Sequence, residues 1–406
     1  MSPSSPKNLL LINAAAFLRS LSVGFTGVIL GIYLFRTGIS SAGIGLVIGT
    51  GLAGAAAATV LVTLHADRIG RRRTLFVLAL LNAVGGMALV LHPSLPLLLP
   101  LAFFGMLNGM GTDRSASFAL EQAIIPGLVP GERRTWSLAW YNVVLDVGGS
   151  LGALAASLPI LLQKHLALTL PAAYRSLFLA YVAVNLFISF FYLLLSPEVE
   201  AVARPAGQSL FAHISPATKS VVFRLSALFS IDAFGGGLLS DALIAYWFFR
   251  RFGVSEESLG ILFFIIRVLN AVSHLGAAWL ARRIGLVRAM VFTHLPSSLF
   301  LIAVPFAPSL NIAIALLLLR EALVEMDVPT RQSYVAAVVQ PAERTFASGV
   351  TNLVRNVFWA VGSTVAGLFM QSVAFSAPLA AGGTLKIAYD VLLYRSFRKL
   401  RPPEEQ

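Results

Sequence analysis

The sequence predicts an all-α integral membrane protein with twelve transmembrane helices in two six-helix bundles. Three observations lead there. Of the 406 residues, 57% are hydrophobic and only 12% are charged, with a mean hydropathy of +0.82. A soluble domain carries about a quarter charged residues, so this chain has half the charge needed to dress a water-facing surface. Apolar runs of about twenty residues recur, each long enough to cross a hydrocarbon core of roughly 30 Å. The polar connections between them fall into a pattern of six runs, one long linker and six more.

The spans read as 8–35, 41–65, 74–91, 95–126, 135–162, 174–196, 219–249, 257–280, 288–306, 309–338, 346–373 and 376–397. The one long polar connection, 197–218, separates an N-terminal bundle (1–196) from a C-terminal bundle (219–406) and is expected to be cytoplasmic. The first run follows a short N-terminus carrying only Lys7 and reads as a retained span, since no cleavage site follows it.

The net charge of +12 is distributed by side. Of 30 Lys and Arg, 17 lie in one alternate set of loops, termini and adjoining helix ends, 5 in the other set, and 8 inside the runs. That asymmetry is the positive-inside rule and places both termini in the cytoplasm, in a plasma membrane (the inner membrane if the cell is bacterial). It also disposes of a nucleic-acid partner: the basic run Arg71-Arg72-Arg73 is pinned between two spans. Cysteine is absent, which excludes disulfides, thiolate metal sites and cysteine nucleophiles. The chain has no Gly-x-x-x-x-Gly-Lys-Ser/Thr phosphate loop, metal-ligand cluster or nucleophile motif. No enzyme activity, ATP-driven step or cofactor is therefore expected.

The two halves repeat. Arg68-Ile69-Gly70 after helix two returns as Arg283-Ile284-Gly285 after helix eight, and Pro130-Gly131-Glu132-Arg133 before helix five as Pro341-Ala342-Glu343-Arg344 before helix eleven. Thr135, Asn142, Asp146 and Gly152 are matched by Thr345, Asn352, Asn356 and Gly362. Features in one order, at offsets of 210 to 215, indicate a duplicated six-helix unit.

In these respects the chain resembles the major facilitator superfamily. That family's signature between helices two and three is Gly-x-x-x-Asp-(Arg/Lys)-x-Gly-(Arg/Lys)-(Arg/Lys). Here Asp67-Arg68-Ile69-Gly70-Arg71-Arg72 fits, with Thr63 in place of the first glycine; in the second copy Arg282 stands where the acid belongs. The resemblance implies a monomeric secondary transporter moving a small organic solute by alternating access. It also implies a gating role for the loop residues Asp67, Arg68, Gly70, Arg71 and Arg72, and for an acid in helix four. Glu121, sharing a helix face with Arg114, is the candidate acid, latched by Arg71 or Arg72. Gly148-Gly149-Ser150-Leu151-Gly152 resembles part of the family's antiporter motif without its Gly-Pro step.

A charge at the bilayer centre costs several kcal/mol, so intramembrane charges need partners or a function. The interiors of helices three, six and nine contain no Asp, Glu, Lys or Arg; His294 stands alone in helix nine. In the resembled fold these helices are peripheral. Helix twelve carries Lys386 and Asp390, spaced to pair along one face. In helix ten, at 100° per residue, Arg320, Asp327 and Arg331 fall within about 40° of one another and form a self-neutralising ladder. Glu321 and Glu325 face away without a cation on the same helix, so one is expected to hold a proton, making the proton the coupling ion. Helix eight offers Arg267, Asn270 and His274 on one face, helix eleven Asn352, Arg355 and Trp359, and helix one Arg19. Three arginines at similar depth can grip an anionic substrate or pair with Asp146, Asp232 and the helix-ten acids.

Asp232 precedes Gly235-Gly236-Gly237, which weaken helix seven or form a close-packing seam. Gly45-x-x-x-Gly49 and Gly148-x-x-x-Gly152 are further close-packing surfaces. Trp136, Trp247 and Trp279 sit near helix ends, where an aromatic belt puts them. The functional expectation is a proton-coupled exporter; an organic-anion importer or uniporter is the alternative within transport, and a transporter-like receptor or scaffold the alternative outside it.

Overall fold

The computed structural model describes residues 5–91, 94–113, 115–130, 133–200, 214–339 and 343–397. Its helices are α1 (Ser5–Arg36), α2 (Ser41–Ile69), α3 (Arg71–Leu91), α4 (Leu95–Phe104), α5 (Ala116–Ile124), α6 (Arg134–Ala155), α7 (Leu158–Leu166) and α8 (Leu170–Leu193), then α9 (Pro216–Gly237), α10 (Asp241–Phe252), α11 (Glu256–Ile284), α12 (Leu286–Ala303), α13 (Leu310–Val324), α14 (Asp327–Ala337), α15 (Arg344–Ser372) and α16 (Ala377–Phe397). Helix lies in each of the twelve predicted spans, and among the described residues eight stretches are long and apolar enough to cross a membrane. Helices four, five, seven and ten are each in two pieces.

The break in helix seven follows Gly235–Gly237, as the glycines suggest. That in helix four was expected to be continuous helix. Between Phe104 and Ala116 the chain carries Gly105, Gly109 and Gly111, and Asn108 and Asp113 bond nearby backbone instead of leaving it to a helix. Asn108 Nδ2 donates to Thr112 O (2.8 Å) and Asn108 Oδ1 accepts from Met110 N (2.7 Å). Asp113 Oδ1 accepts from Ser115 N (3.1 Å), and the Ser115 hydroxyl caps α5 at Phe118 N. At membrane depth an interrupted helix is tolerated where its polar groups are served internally, and these side chains serve them.

The chain forms two compact units. The first comprises Met1–Pro205 with Ser240–Phe264. In it α1 packs on α6, α8 and α10, α3 on α8, and α2 on α4 and α5. The break in helix four meets α10 here, for Ala242 N donates to Gly109 O (3.0 Å). The second unit comprises Ala206–Leu239 with Ile265–Gln406. There α9 packs on α15 and α16, and α12 on α13, α14 and α16.

The duplication is visible in backbone contacts. A Cβ on Gly152 would lie 2.1 Å from Leu21 O of α1, and one on Gly24 of α1 2.3 Å from Gly149 O. In the second unit, a Cβ on Gly362 would lie 2.3 Å from Phe234 O of α9, and one on Gly237 2.4 Å from Trp359 O. Helix one against helix five is therefore built as helix seven against helix eleven, with matched glycines flush on a facing carbonyl. On α2, Gly51 and Gly54 come close to the backbone of Leu107 and Phe103.

Trp136 and Trp279 are exposed at helix ends as expected of a belt, but Trp247 is completely buried against Phe248 and Phe252. It is a core residue, because α10 is enclosed by the first unit.

Candidate functional site: buried ion networks

In the first unit Arg19 projects from the middle of α1 into a dry network. Its Nε donates to Asp113 Oδ2 (2.6 Å); Nη1 donates to Glu121 Oε1 (3.0 Å) and Nη2 to Glu121 Oε2 (2.6 Å). The hydroxyls of Tyr192 and Tyr141 each donate to a Glu121 oxygen at 2.6 Å, and Arg19 Nη1 also donates to Tyr192 Oη (2.7 Å). Both carboxylate side chains have zero solvent exposure and that of Arg19 has 4%. The helix-four break makes this possible. It sends Asp113 to the Nε edge of the guanidinium while α5 delivers Glu121 to the forked edge, the bidentate geometry arginine favours.

This overturns the expected latch between Glu121 and Arg71 or Arg72. Glu121 is saturated by Arg19 and two tyrosines, and Arg71 pairs with Asp67 across the turn between α2 and α3 (2.8 Å). The backbone amides of Arg71 and Arg72, at the start of α3, are instead capped by Glu200 (2.5 and 3.3 Å). Gly70 holds the tight turn before them at φ +104°, a region closed to most other residues. Arg68 is exposed, and Arg114 lies outside the described residues.

Glu343, one residue before α15, plays the part in the second unit that Glu200 plays in the first. It accepts from Ser215 N (2.6 Å), Ser215 Oγ (3.0 Å) and the Thr218 hydroxyl. These donors, Thr218 foremost, hold its carboxyl below the usual range. Each end of the linker is thus tied by one carboxylate inside its own unit.

The second unit has its own network, centred on Asp232 just before the end of α9. Lys386 Nζ lies 2.7 Å from Asp232 Oδ1, Arg355 Nη1 3.4 Å and Arg331 Nη1 3.7 Å from Oδ2. Arg331 also pairs with Asp327. His294 Nδ1 faces both oxygens of Asp390 at 3.0 and 3.1 Å.

Three expectations fail here. Lys386 and Asp390 do not pair with each other: the first reaches Asp232 on helix seven, the second His294 on helix nine. His294, alone in its helix, belongs to the network; its partners lie 92 and 96 positions away. The separation of Arg320 from Glu321 also fails, because these neighbours pair directly. Helix ten ends at Val324 and restarts at Asp327, so angles counted across the break do not describe it. Glu325 sits half-buried at the break.

The other candidates are dispersed. Arg355 lies over the ring of Trp359 (4.9 Å). Asn270 is buried, and its Oδ1 has no hydrogen-bond partner among the described residues. Arg267 is half-buried, Asp146 and Asn352 are exposed, and the His274 side chain lies outside the described residues. Sequence reasoning also missed Glu256, which lies outside its predicted span. This buried carboxylate accepts from Arg36 Nε (3.0 Å), Arg36 Nη2 (2.8 Å) and Tyr174 Oη (2.6 Å), tying the start of α11 to α1 and α8 within the first unit.

A duplicated helical fold with buried charge in both copies now has an explicit match. The sequence model of the Major Facilitator Superfamily fits residues 12–363, and again 242–406. The chain belongs to the major facilitator superfamily. It is accordingly a multi-pass membrane transporter and not an enzyme. Among relatives of this superfamily member is an uncharacterized membrane protein of Saccharomyces cerevisiae, YJR124C. It is 27% identical over 419 residues, covering 95% of this chain and 93% of that protein. Among solved structures, the nucleoside transporter NupG superposes with a TM-score of 0.73 at 14% identity, covering 96% of this chain and 99% of the other. A POT family transporter in complex with a thioalcohol-conjugated peptide superposes with a TM-score of 0.75 at 15% identity, covering 97% and 96%. At these identities the likeness to the solved structures is one of fold.

Proposed function

We propose that the protein is a proton-coupled secondary transporter that exports a small organic solute by alternating access, without a cofactor and as a monomer. The observation that carries proton coupling is the charge count around Arg19. One guanidinium serves two carboxylates, Asp113 and Glu121, in a site closed to water, which leaves a formal charge of −1. A buried carboxylate without its own cation neutralises by taking a proton. Any conformational step that draws Arg19 away from one acid favours protonation of that acid, and its return expels the proton. The pair takes over the role expected of Glu321 and Glu325, since Glu321 has Arg320 as its partner.

Glycine-rich α6 supports exchange by its likeness to the antiporter motif. The organic-anion alternative loses support, because Arg19 faces Asp113 and Glu121, and Arg355 faces Asp232. Arg267, Asn270, Asn352 and Trp359 remain the proposed substrate contacts, with Asp146 and Asp232 on the proton path, and the loop Asp67–Arg72 as part of the gate.

The test is solute flux in proteoliposomes under an imposed pH gradient. Glu121→Gln and Asp113→Asn keep shape but not charge, and each is expected to abolish accumulation driven by the gradient. If both variants accumulate solute with wild-type pH dependence, the proton is not carried there. Absence of flux for any solute in the wild-type protein would favour a receptor or scaffold.

Positive-inside asymmetry supports a plasma-membrane location with both termini cytoplasmic. The chain has no cysteine, so single reporters are clean. A cysteine at Thr74 should react with an impermeant maleimide only from the cytoplasmic side, and one at Ser94 only from outside; the reverse pattern would invert the topology.

A further inference from the structure

The second unit contains a hydrogen-bonded chain of which the transport reading uses only Asp232. It runs from Asp390 to His294 Nδ1 (3.0 Å), from His294 Nε2 to Lys386 Nζ (3.4 Å), and from Nζ to Asp232 Oδ1 (2.7 Å). That same Oδ1 lies 3.8 Å from His294 Nε2. All four residues are at most 6% exposed.

The order of donors follows from chemistry. An ionised Asp390 only accepts, so Nδ1 must carry the hydrogen. A lysine ammonium only donates, so Nε2 must offer its lone pair. Both demands are met by one neutral tautomer of His294 and by no other form.

Adding a proton at Nε2 leaves the Nδ1–H bond to Asp390 in place and changes the links on the other side of the ring. Nε2 becomes a donor, its contact with Lys386 becomes cation against cation, and its new N–H has Asp232 Oδ1 within reach. We propose that His294 is a proton-binding site of this transporter, and that its protonation exchanges the partner of Asp232 from Lys386 to His294. The exchange is felt at the break in helix seven. A Cβ on Gly236 would meet Lys386 Nζ at 3.9 Å and Trp359 Nε1 at 2.9 Å, so a displaced ammonium moves against the glycines that end α9.

The surroundings leave His294 as the group free to change charge. From α16 the ring of Tyr389 meets it edge-on at 6.0 Å. From α14 Arg331 is held by Asp327, from α13 Arg320 is held by Glu321, and from α15 Arg355 faces Asp232. On α12 itself, Arg288 is exposed.

The proposal does not depend on Asp113 and Glu121, and its test reads proton binding, not flux. The full chain in nanodiscs, with its six histidines labelled with ¹⁵N, is titrated from pH 5 to 9 by NMR. The signal missing in His294→Gln identifies the residue. It is expected to show the Nδ1–H tautomer at high pH, to convert to imidazolium within the range, and to shift its midpoint by at least one pH unit in Lys386→Gln. Asp390→Asn keeps an acceptor for Nδ1–H but removes the anion beside it, so the Nδ1–H tautomer should persist at high pH and the midpoint should fall. A His294 signal that stays constant from pH 5 to 9, or a midpoint unmoved in Lys386→Gln, would overturn the proposal. Glu121→Gln should leave the titration intact, so failure of the carboxylate reading and failure of this one are told apart.

Discussion

Arg19→Met is expected to cost the folded protein about 3–5 kcal/mol, the range seen when one partner of a buried ion pair is removed. The loss arises less from the missing attraction than from what stays behind. Asp113 and Glu121 remain in a site without water, and Tyr141 and Tyr192 supply hydrogen bonds but no charge. The midpoint of thermal unfolding in detergent should fall sharply. Adding Glu121→Gln to Arg19→Met should recover part of the loss, because it removes one of the stranded charges. Arg19→Lys should fall in between, since an ammonium keeps the charge but cannot span the Asp113 side and the Glu121 fork together. An unfolding midpoint within a degree of wild type for Arg19→Met would mean that the network contributes nothing to the fold.

Asp232→Asn should have the second large effect, of similar size and opposite charge. It leaves Lys386, Arg331 and Arg355 facing one anion fewer in a buried site. The pair Asp232→Asn with Lys386→Met restores the count, and coupled residues of this kind depart from additivity by about 0.5–3 kcal/mol. The double variant should therefore be more stable than the sum of the single losses implies. Additive losses in that cycle would show that Lys386 and Asp232 do not stabilise each other.

Much of this architecture is legible in the chain itself. Composition and the spacing of apolar runs specify twelve spans, and the repeated Arg-Ile-Gly and Pro-x-Glu-Arg loops specify the duplication. The glycines before Leu238 mark the interruption of helix seven. The comparable signal in helix four, Gly105, Asn108, Gly109, Gly111 and Asp113, was present but hidden in an apolar run long enough to pass as one helix. That omission propagates, because helical angles mean nothing across an interruption. Counting straight through the breaks puts Glu121 beside the loop arginines and gives the acids of helix ten faces that the break at Glu325–Met326 dissolves.

The partners of buried charges were the least legible feature. His294 looks idle when helix nine is read alone, and Lys386 and Asp390 look paired when helix twelve is read alone. Their true partners are fixed by how α9, α12 and α16 pack, which is long-range information. Residue type did signal that something was needed: a charge in an apolar run demands a counterpart, though not a particular one.

The glycine seams give the ancient duplication a present-day consequence. Gly152 and Gly362 each press a bare Cα against a carbonyl oxygen, at Leu21 and at Phe234, with room for no further carbon. Overpacking such a contact costs about 1–3 kcal/mol, and side-chain repacking cannot relieve a clash with backbone. Neighbouring positions have drifted apart between the halves, as Asp146 and Asn356 have, because a changed side chain can be accommodated. Positions 152 and 362 lack that freedom. What survives of the common ancestor is therefore held by the absence of side chains: a mutational scan aligned at an offset of 210 should show the two halves at their most alike where nothing but hydrogen is tolerated.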